Sequence, residues 1–273
     1  MSSLVSAIDY IESTYHVKLI PIQVTDIFWT YFVGMLQAKG LKNSTISTLA
    51  NQLRAVLRWG SKYNVSLSPS FDVMRISANK SYQIALTEDE VSHIYHFDVQ
   101  MYYRERRPQF RKRMEQVRDM FVLSCNLYQR HSDMVRIDRT CFSRNIFRIT
   151  QLKTGNIAIV NIDKMSVNPK ATYEILEKYE YTAPYTGDLT NYDKYLKVLT
   201  RDIGLTDEIR LEEKINGQIV TEIKHKCDMI ASHTARRTAI TIAFFRGRST
   251  HDIKRASGHQ SLDMLEKYIK ERE

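Results

Sequence analysis

Between Leu67 and Tyr82 the sequence loses its hydrophobic periodicity and gains Ser, Pro and Asn, and this break constrains the fold more than any other feature of the chain. Apolar residues recur at regular spacing on both sides of it, so two bodies joined by a linker are expected. A length of 273 residues points the same way, because it exceeds the usual size of one domain. The expected division is a helical unit over residues 1–66, a linker over 67–82 and a larger domain over 83–273.

The first unit reads as helical throughout. One apolar-periodic stretch runs through Leu4, Ile8 and Ile11, and a second through Ile27, Phe28, Tyr31, Phe32, Met35 and Leu36, closed by Gly40. A third carries Ile46, Leu49, Leu53, Val56, Leu57 and Gly60, with Asn43 or Ser44 as its N-cap. Trp29 and Trp59 are expected to anchor this core. The polar face of the third helix presents Lys42, Asn43, Ser44, Thr45, Ser47, Thr48, Gln52 and Arg54, a surface suited to phosphate contacts and equally to plain solvent.

In the second domain, Leu86-Thr87-Glu88-Asp89-Glu90 has the reciprocal capping box that opens a helix, with Thr87 as cap and Glu90 three residues on. Arg104, Arg106, Arg107 and Arg111 are interleaved with Tyr102, Tyr103 and Phe110, which fits contacts to a nucleic-acid backbone or a solvated loop. Phe121 to Leu127 reads as an apolar helix. Ile146 to Ile162 alternates as two short strands around Lys153-Thr154-Gly155, and Asn216-Gly217 is a hairpin signal between two strand-like runs. Helical patterns resume from Ala231. The expected fold is mainly α with a small β component.

Composition narrows the function classes. Lys and Arg number 40 against 31 Asp and Glu, a formal charge of +9 that suits a polyanionic partner without specifying one. Three cysteines, Cys125, Cys141 and Cys227, form an odd set without CxxC spacing, so neither a disulfide framework nor a zinc site is indicated. No apolar run approaches the roughly 20 residues that cross a bilayer. A cytoplasmic protein without a membrane association is expected.

The chemistry-bearing segments lie in the second domain. His233-Thr234-Ala235-Arg236 is followed by Gly258-His259 and then by Tyr268, nine positions after His259. Upstream stand Gln129-Arg130-His131-Ser132-Asp133 and Gln151-Leu152-Lys153-Thr154-Gly155. Each motif occurs by chance in many proteins, but their joint order and spacing resembles the tyrosine site-specific recombinases of the phage-integrase type, including the integrases of conjugative transposons and other mobile elements. The resemblance spans nearly the whole chain. It departs from the family pattern where Tyr128-Gln129 replaces a common Thr-Gly, and where Ala235 replaces a frequent leucine. Relatives often carry a further N-terminal arm-type DNA-binding domain, whereas this chain begins almost directly with the first helical unit.

The resemblance implies a SAM-like helical core-binding domain joined to an α/β catalytic domain with a small antiparallel sheet. It implies Tyr268 as nucleophile, Arg130 and Arg236 on the scissile phosphate, His233 and His259 as hydrogen-bonding and proton-moving groups, Lys153 as general acid, and Asp133 supporting Arg130. Lys42, Asn43, Ser44 and Thr45, with Arg104, Arg106, Arg107 and Arg111, are the candidate DNA contacts. The implied partner is double-stranded DNA at recombination sites, bound by a homo-tetramer in the synaptic complex from a protein that is monomeric without DNA.

Physical reasons run in parallel. A phenol of pKa about 10 is barely ionised at neutral pH and needs concentrated positive charge to attack phosphorus. Guanidinium forks supply paired, permanently charged hydrogen bonds to the developing charge. A 3′-phosphotyrosine ester conserves the phosphodiester's bond energy, so rejoining needs neither ATP nor a metal, and no cofactor is expected. Two alternatives share the scaffold: type IB topoisomerase relaxation, and a catalytically silent DNA-binding regulator. Retention of all six reacting positions argues against the second.

Overall fold

A computed structural model of the chain describes residues 2–16, 18–72, 82–215 and 218–260. Tyr268, the Asn216-Gly217 turn and residues 73–81 of the expected linker lie outside the described residues. The chain divides into two compact units, one formed by residues up to Ser81 and the other from Tyr82 onward apart from residues 213–218.

Three helices build the first unit: α1 (Ser2–Tyr15), α2 (Asp26–Ala38) and α3 (Asn43–Ser61). Thr25 opens α2 by accepting a hydrogen bond from Phe28 N at 3.3 Å, and Gly40, at φ +81°, turns the chain away after it. Leu4, Ala7 and Ile11 of α1 pack with Trp29, Phe32 and Leu36 of α2 and with Ile46, Leu49, Leu53 and Leu57 of α3. These are helical i, i+3/i+4, i+7 stripes.

Several expectations for this unit are corrected. Ile27 and Tyr31 are exposed, because the stripe through Trp29, Phe32 and Leu36 takes the core and they lie off it. Val56 and Trp59 are likewise exposed, off the stripe that ends at Leu57; Trp59 packs on Tyr63 instead, with ring centroids 4.7 Å apart. Arg54 is 5% exposed rather than part of a polar face, with its guanidinium over the Trp29 ring and 3.5 Å from Asp72. Lys42, with extended backbone, caps α3 without a side-chain bond, and Asn43 is already helical, its Oδ1 accepting from Gln37 Nε2 at 3.0 Å.

The second unit is organised around α6 (Pro108–Leu127), entered through α4 (Glu88–His96) and α5 (Val99–Tyr102). The Thr87–Glu90 capping box at the start of α4 forms as its sequence predicts, with bonds of 2.8 and 3.2 Å. From Asp119 to Leu127 every residue of α6 is buried, which a helix achieves only when neighbours cover all its sides. The neighbours are α4, α9 (Pro169–Lys178), α10 (Leu189–Asp202) and α12 (Ser232–Phe245), each of which packs on α6. Burying each large apolar side chain there contributes about 1.5–3 kcal/mol.

Short helix α7 (His131–Met134) follows α6 and leads to an antiparallel sheet of β1 (Phe142–Ser143), β2 (Ile146–Thr150) and β3 (Ile157–Asn161). Its register pairs Phe147 with Val160 and Ile149 with Ala158, so the buried residues of both strands share one face. Helix α8 (Ile162–Met165) links this sheet to α9. A second sheet, β4 (Glu208–Ile215) with β5 (Gln218–His225), precedes α11 (Lys226–Met229), and α13 (Thr250–Ser257) follows α12 and packs on β3.

Candidate active site

Arg130, Arg236 and His259 arrive from three different segments and belong to one hydrogen-bonded network, Arg236 meeting His259 directly and Arg130 reaching it through Gln151 and Ser257. Helix α6 ends at Tyr128 in the left-handed conformation, φ +63°, which costs a non-glycine residue about 1–2 kcal/mol. The Tyr128 ring is fully buried and its hydroxyl donates to Met165 O at 2.7 Å, which offsets the strain. The turn brings Arg130 to the start of α7 and aims the Tyr128 carbonyl inward, where Arg236 Nη1 donates to it at 3.1 Å. The turn is thus held by a tyrosine whose ring and hydroxyl are both packed.

Arg236 is fully buried on α12, one helical turn after His233. Its Nη2 lies 3.1 Å from His259 Nε2. Ser257 Oγ gives its proton to Ile253 O at 2.6 Å, so it accepts from His259 Nδ1 at 2.8 Å. That arrangement puts the imidazole proton on Nδ1 and turns Nε2 toward the arginine.

His259 is delivered by the end of α13, where Gly258 adopts φ +68° and its N–H closes on Lys254 O at 2.8 Å. A Cβ at Gly258 would sit 2.7 Å from the Gln151 amide, so position 258 requires glycine on two counts.

Arg130 Nη1 donates to Gln151 Oε1 at 3.1 Å and lies 4.0 Å from Asp133 Oδ2. Asp133 is fully buried, and its Oδ1 accepts from Leu152 N at 2.8 Å. It therefore ties the α7 segment to the turn that carries Lys153, and lies near both Arg130 and Arg136. Lys153 itself is exposed on the β2–β3 turn, where Gly155, at φ +68°, donates to Gln151 O.

Loss of surrounding water, then the charges of Arg236, Arg237, Arg130 and Lys153, lowers the pKa of His233 to about 4, although its ring keeps solvent contact. Burial, then Arg236, Arg130 and His233, lowers that of His259 to about 3. Both imidazoles are neutral at pH 7. The same electrostatics tie Lys153 to the cluster, since its charge is felt at His233. Five of the six sequence-predicted reacting positions thus share one neighbourhood, and the sixth, Tyr268, is outside the described residues.

The candidate DNA contacts fall elsewhere. Lys42, Ser44 and Thr45 are exposed at the N-terminal end of α3, and Asn43 is half-buried. Arg104, Arg106 and Arg107 are exposed between α5 and α6, Arg104 pairing with Glu105 at 3.4 Å. Arg111 donates to the carbonyls of Arg104 and Arg106 and so braces that turn from α6. Sequence reasoning passed over Gln129, Gln151 and Ser257 as functional residues. Their only signal was position, directly beside Arg130, Lys153 and Gly258-His259.

Helical first unit, central buried helix, three-stranded sheet and the α12–α13 arrangement together define the fold of the tyrosine site-specific recombinases. Among solved structures the chain is similar to a lambda integrase dimer bound to a core site, with a TM-score of 0.69 and 16% identity over 100% of this chain and 89% of that one. It is also similar to the XerH site-specific recombinase bound to a palindromic difH substrate, with a TM-score of 0.60 and 12% identity over 90% and 66% of the two chains. The integrase of the Tn1549 transposon in complex with a circular intermediate DNA gives 0.58 and 13% over 90% and 81%. No protein-family model matches the sequence, and no curated protein matches it.

Proposed function

We propose that this chain is a site-specific DNA recombinase of the integrase type, which breaks and rejoins DNA through a 3′-phosphotyrosine intermediate formed by Tyr268. The observation that carries this reading is one hydrogen-bonded network among elements distant in sequence, in which Arg236 meets His259 directly and Arg130 reaches them through Gln151 and Ser257, with the charges of Arg130, Arg236 and Lys153 all felt at His233. Two guanidinium groups whose charges both act on His233 and His259, with Asp133 at 4.0 Å as the carboxylate beside Arg130, make a receptor for a doubly ligated anion, and a scissile phosphate has the required oxygens.

In the reaction, the Tyr268 phenol oxygen attacks phosphorus and the bond to the 5′-oxygen breaks. Arg130 and Arg236 bind the non-bridging oxygens and hold the charge that grows on them in the transition state. The neutral imidazole of His233, which is exposed, can exchange a hydrogen bond at the phosphate or take the phenol proton as a neutral base, while His259, bonded to Ser257 and facing Arg236, holds that guanidinium in place. Lys153 protonates the departing 5′-oxygen. Rejoining reverses these steps with a 5′-hydroxyl from a partner strand.

Lambda integrase has been captured as a tetramer bound to a Holliday junction. By extension, the partner of this chain is double-stranded DNA at recombination sites, on which four copies assemble, and the element served is a mobile one acting in the cytoplasm. Exposed cations at the start of α3 and between α5 and α6 are suited to the phosphate backbone.

The test is a covalent adduct on nicked DNA carrying the element's ends. Wild-type protein should form it, and Tyr268→Phe should form none while binding DNA with nearly the same affinity, since only the attacking oxygen is removed. Adduct at wild-type levels from the Phe variant would refute Tyr268 as nucleophile. Relaxation of supercoils by monomers without strand exchange would favour the topoisomerase alternative.

A further inference from the structure

Two glutamine amides are sealed inside the site, at 0% exposure for Gln129 and 1% for Gln151. A buried primary amide is costly unless its two N–H groups and its carbonyl find partners, and every one does here. Gln151 Nε2 donates to Gln129 Oε1 and to Ser257 O, both at 2.8 Å. Gln151 Oε1 accepts from Arg130 Nη1 and from Thr154 Oγ1, both at 3.1 Å. Gln129 Nε2 donates to Leu127 O at 2.6 Å and to Ala256 O at 2.9 Å.

These bonds have a direction. Two backbone carbonyls that can only accept, Leu127 O and Ala256 O, fix which end of the Gln129 amide is nitrogen. Gln129 must then offer its oxygen to Gln151, and Gln151, whose nitrogen is committed to Gln129 and Ser257, must offer its oxygen to Arg130. Flipping either amide would set oxygen against oxygen at a buried contact.

We infer that Gln151 is a positioning residue for Arg130, oriented by Gln129, which holds the guanidinium in place through a neutral acceptor and locks the arginine turn, the Lys153 turn and the Gly258-His259 corner to one another. Asp133 already stands 4.0 Å from the same nitrogen, so the closer acceptor being neutral matters. A second carboxylate at the 3.1 Å of Gln151 would orient Arg130 equally well but cancel more of the charge that an anionic transition state needs. The lock reaches further through Asn156, whose Nδ2 donates to Gly258 O at 3.0 Å.

This inference rests on the reading of Arg130 as a phosphate-binding group, so the experiment separates the two. Gln151→Met keeps length and bulk and removes all four hydrogen bonds. Gln151→Glu keeps the shape and adds the charge. Single-turnover cleavage of nicked DNA should fall about a hundredfold or more in both, while DNA affinity stays within about threefold of wild type.

A merely structural role would slow every variant alike. A positioning role acts through the guanidinium, so Gln151→Met should cost much less in an Arg130→Lys background than in wild type. Equal costs in the two backgrounds, or cleavage within threefold of wild type by a stably folded Gln151→Met, would overturn the assignment. Should Gln151→Met fail to fold, the wild-type protein still decides: NMR of Arg130, assigned by its loss in Arg130→Lys, should show distinct, slowly exchanging Nη signals without DNA. Averaged signals would sink the proposal. Absence of any adduct from wild-type protein would instead count against the recombinase reading, and the NMR result would stand apart from it.

Discussion

Arg236 and Lys153 occupy opposite physical settings within one site. Arg236 is fully buried, with Tyr128 O and the His259 ring as partners, and it projects from a helix that is itself buried from Thr234 to Ala243. Lys153 stands on an exposed turn between two strands. The difference matches the work proposed for each. Stabilising charge on non-bridging oxygens rewards groups already in place, because the protein then reorganises nothing at the moment of reaction. Donating a proton to a leaving oxygen requires a group within hydrogen-bond reach of that oxygen, which a long side chain on a turn can attain.

The largest effect should come from the preorganised side. Arg236→Lys exchanges a planar fork for a point charge, removes the contacts to Tyr128 O and His259, and should slow cleavage by about a thousandfold or more. Arg130→Lys should do nearly as much. DNA affinity should change far less in either variant. The comparison breaks if single-turnover cleavage by both variants stays within about tenfold of wild type, which is roughly 1.4 kcal/mol.

The candidate reacting groups were legible in the sequence through the order and spacing of their motifs, and their neighbours in space were legible only as neighbours in sequence. Gln129 and Gln151 are 22 positions apart and bond directly, a contact no periodicity encodes. Trp59 shows the converse error. An aromatic residue at helical spacing reads as core, yet α3 turns it outward because Leu53 and Leu57 already fill the stripe. Charge alone misplaces Arg54: its flat guanidinium packs over the Trp29 ring, and Asp72, 18 positions away, meets its charge. Secondary structure carried by local signals fared better. The Thr87–Glu90 capping box and the alternation from Ile146 to Ile162 both fold as their patterns specify.

An intermediate effect belongs to the exposed side of the comparison. Lys153→Ala should slow cleavage of ordinary DNA about a hundredfold, because the departing 5′-alkoxide is far more basic than the tyrosine phenolate and needs a proton. Replacing the bridging 5′-oxygen with sulfur supplies a leaving group that departs without one, so the variant should recover most of its rate on that substrate. Arg130→Ala should not recover, since its role lies at other oxygens. If Lys153→Ala is equally defective on both substrates, the acid is another group, and the division between a buried charge-stabilising set and an exposed proton donor fails.

The smallest effect is on stability, and it separates the two histidines by the same criterion of burial. In the unfolded chain each titrates near 6.5, and in the fold their pKa values drop to about 4 for His233 and about 3 for His259. Between these limits the unfolded state binds protons that the folded state refuses, so stability rises with pH. The contribution is fully present above about pH 6.5, and is lost as the pH falls toward the folded values. His259 is 5% exposed, whereas His233 keeps contact with water that screens its interactions, so His259 should account for more of the loss. Carboxylates and His131, whose pKa burial also lowers, add to the acid sensitivity of every variant, so the quantity to compare is the difference from wild type. Melting temperatures measured at pH 7, 6 and 5 should fall less steeply for His259→Gln than for wild type, with His233→Gln between the two. Parallel slopes for His259→Gln and wild type would mean that the folded protein accepts a proton at His259 as readily as the unfolded chain does, and the neutral imidazole assigned to the mechanism would have to be abandoned.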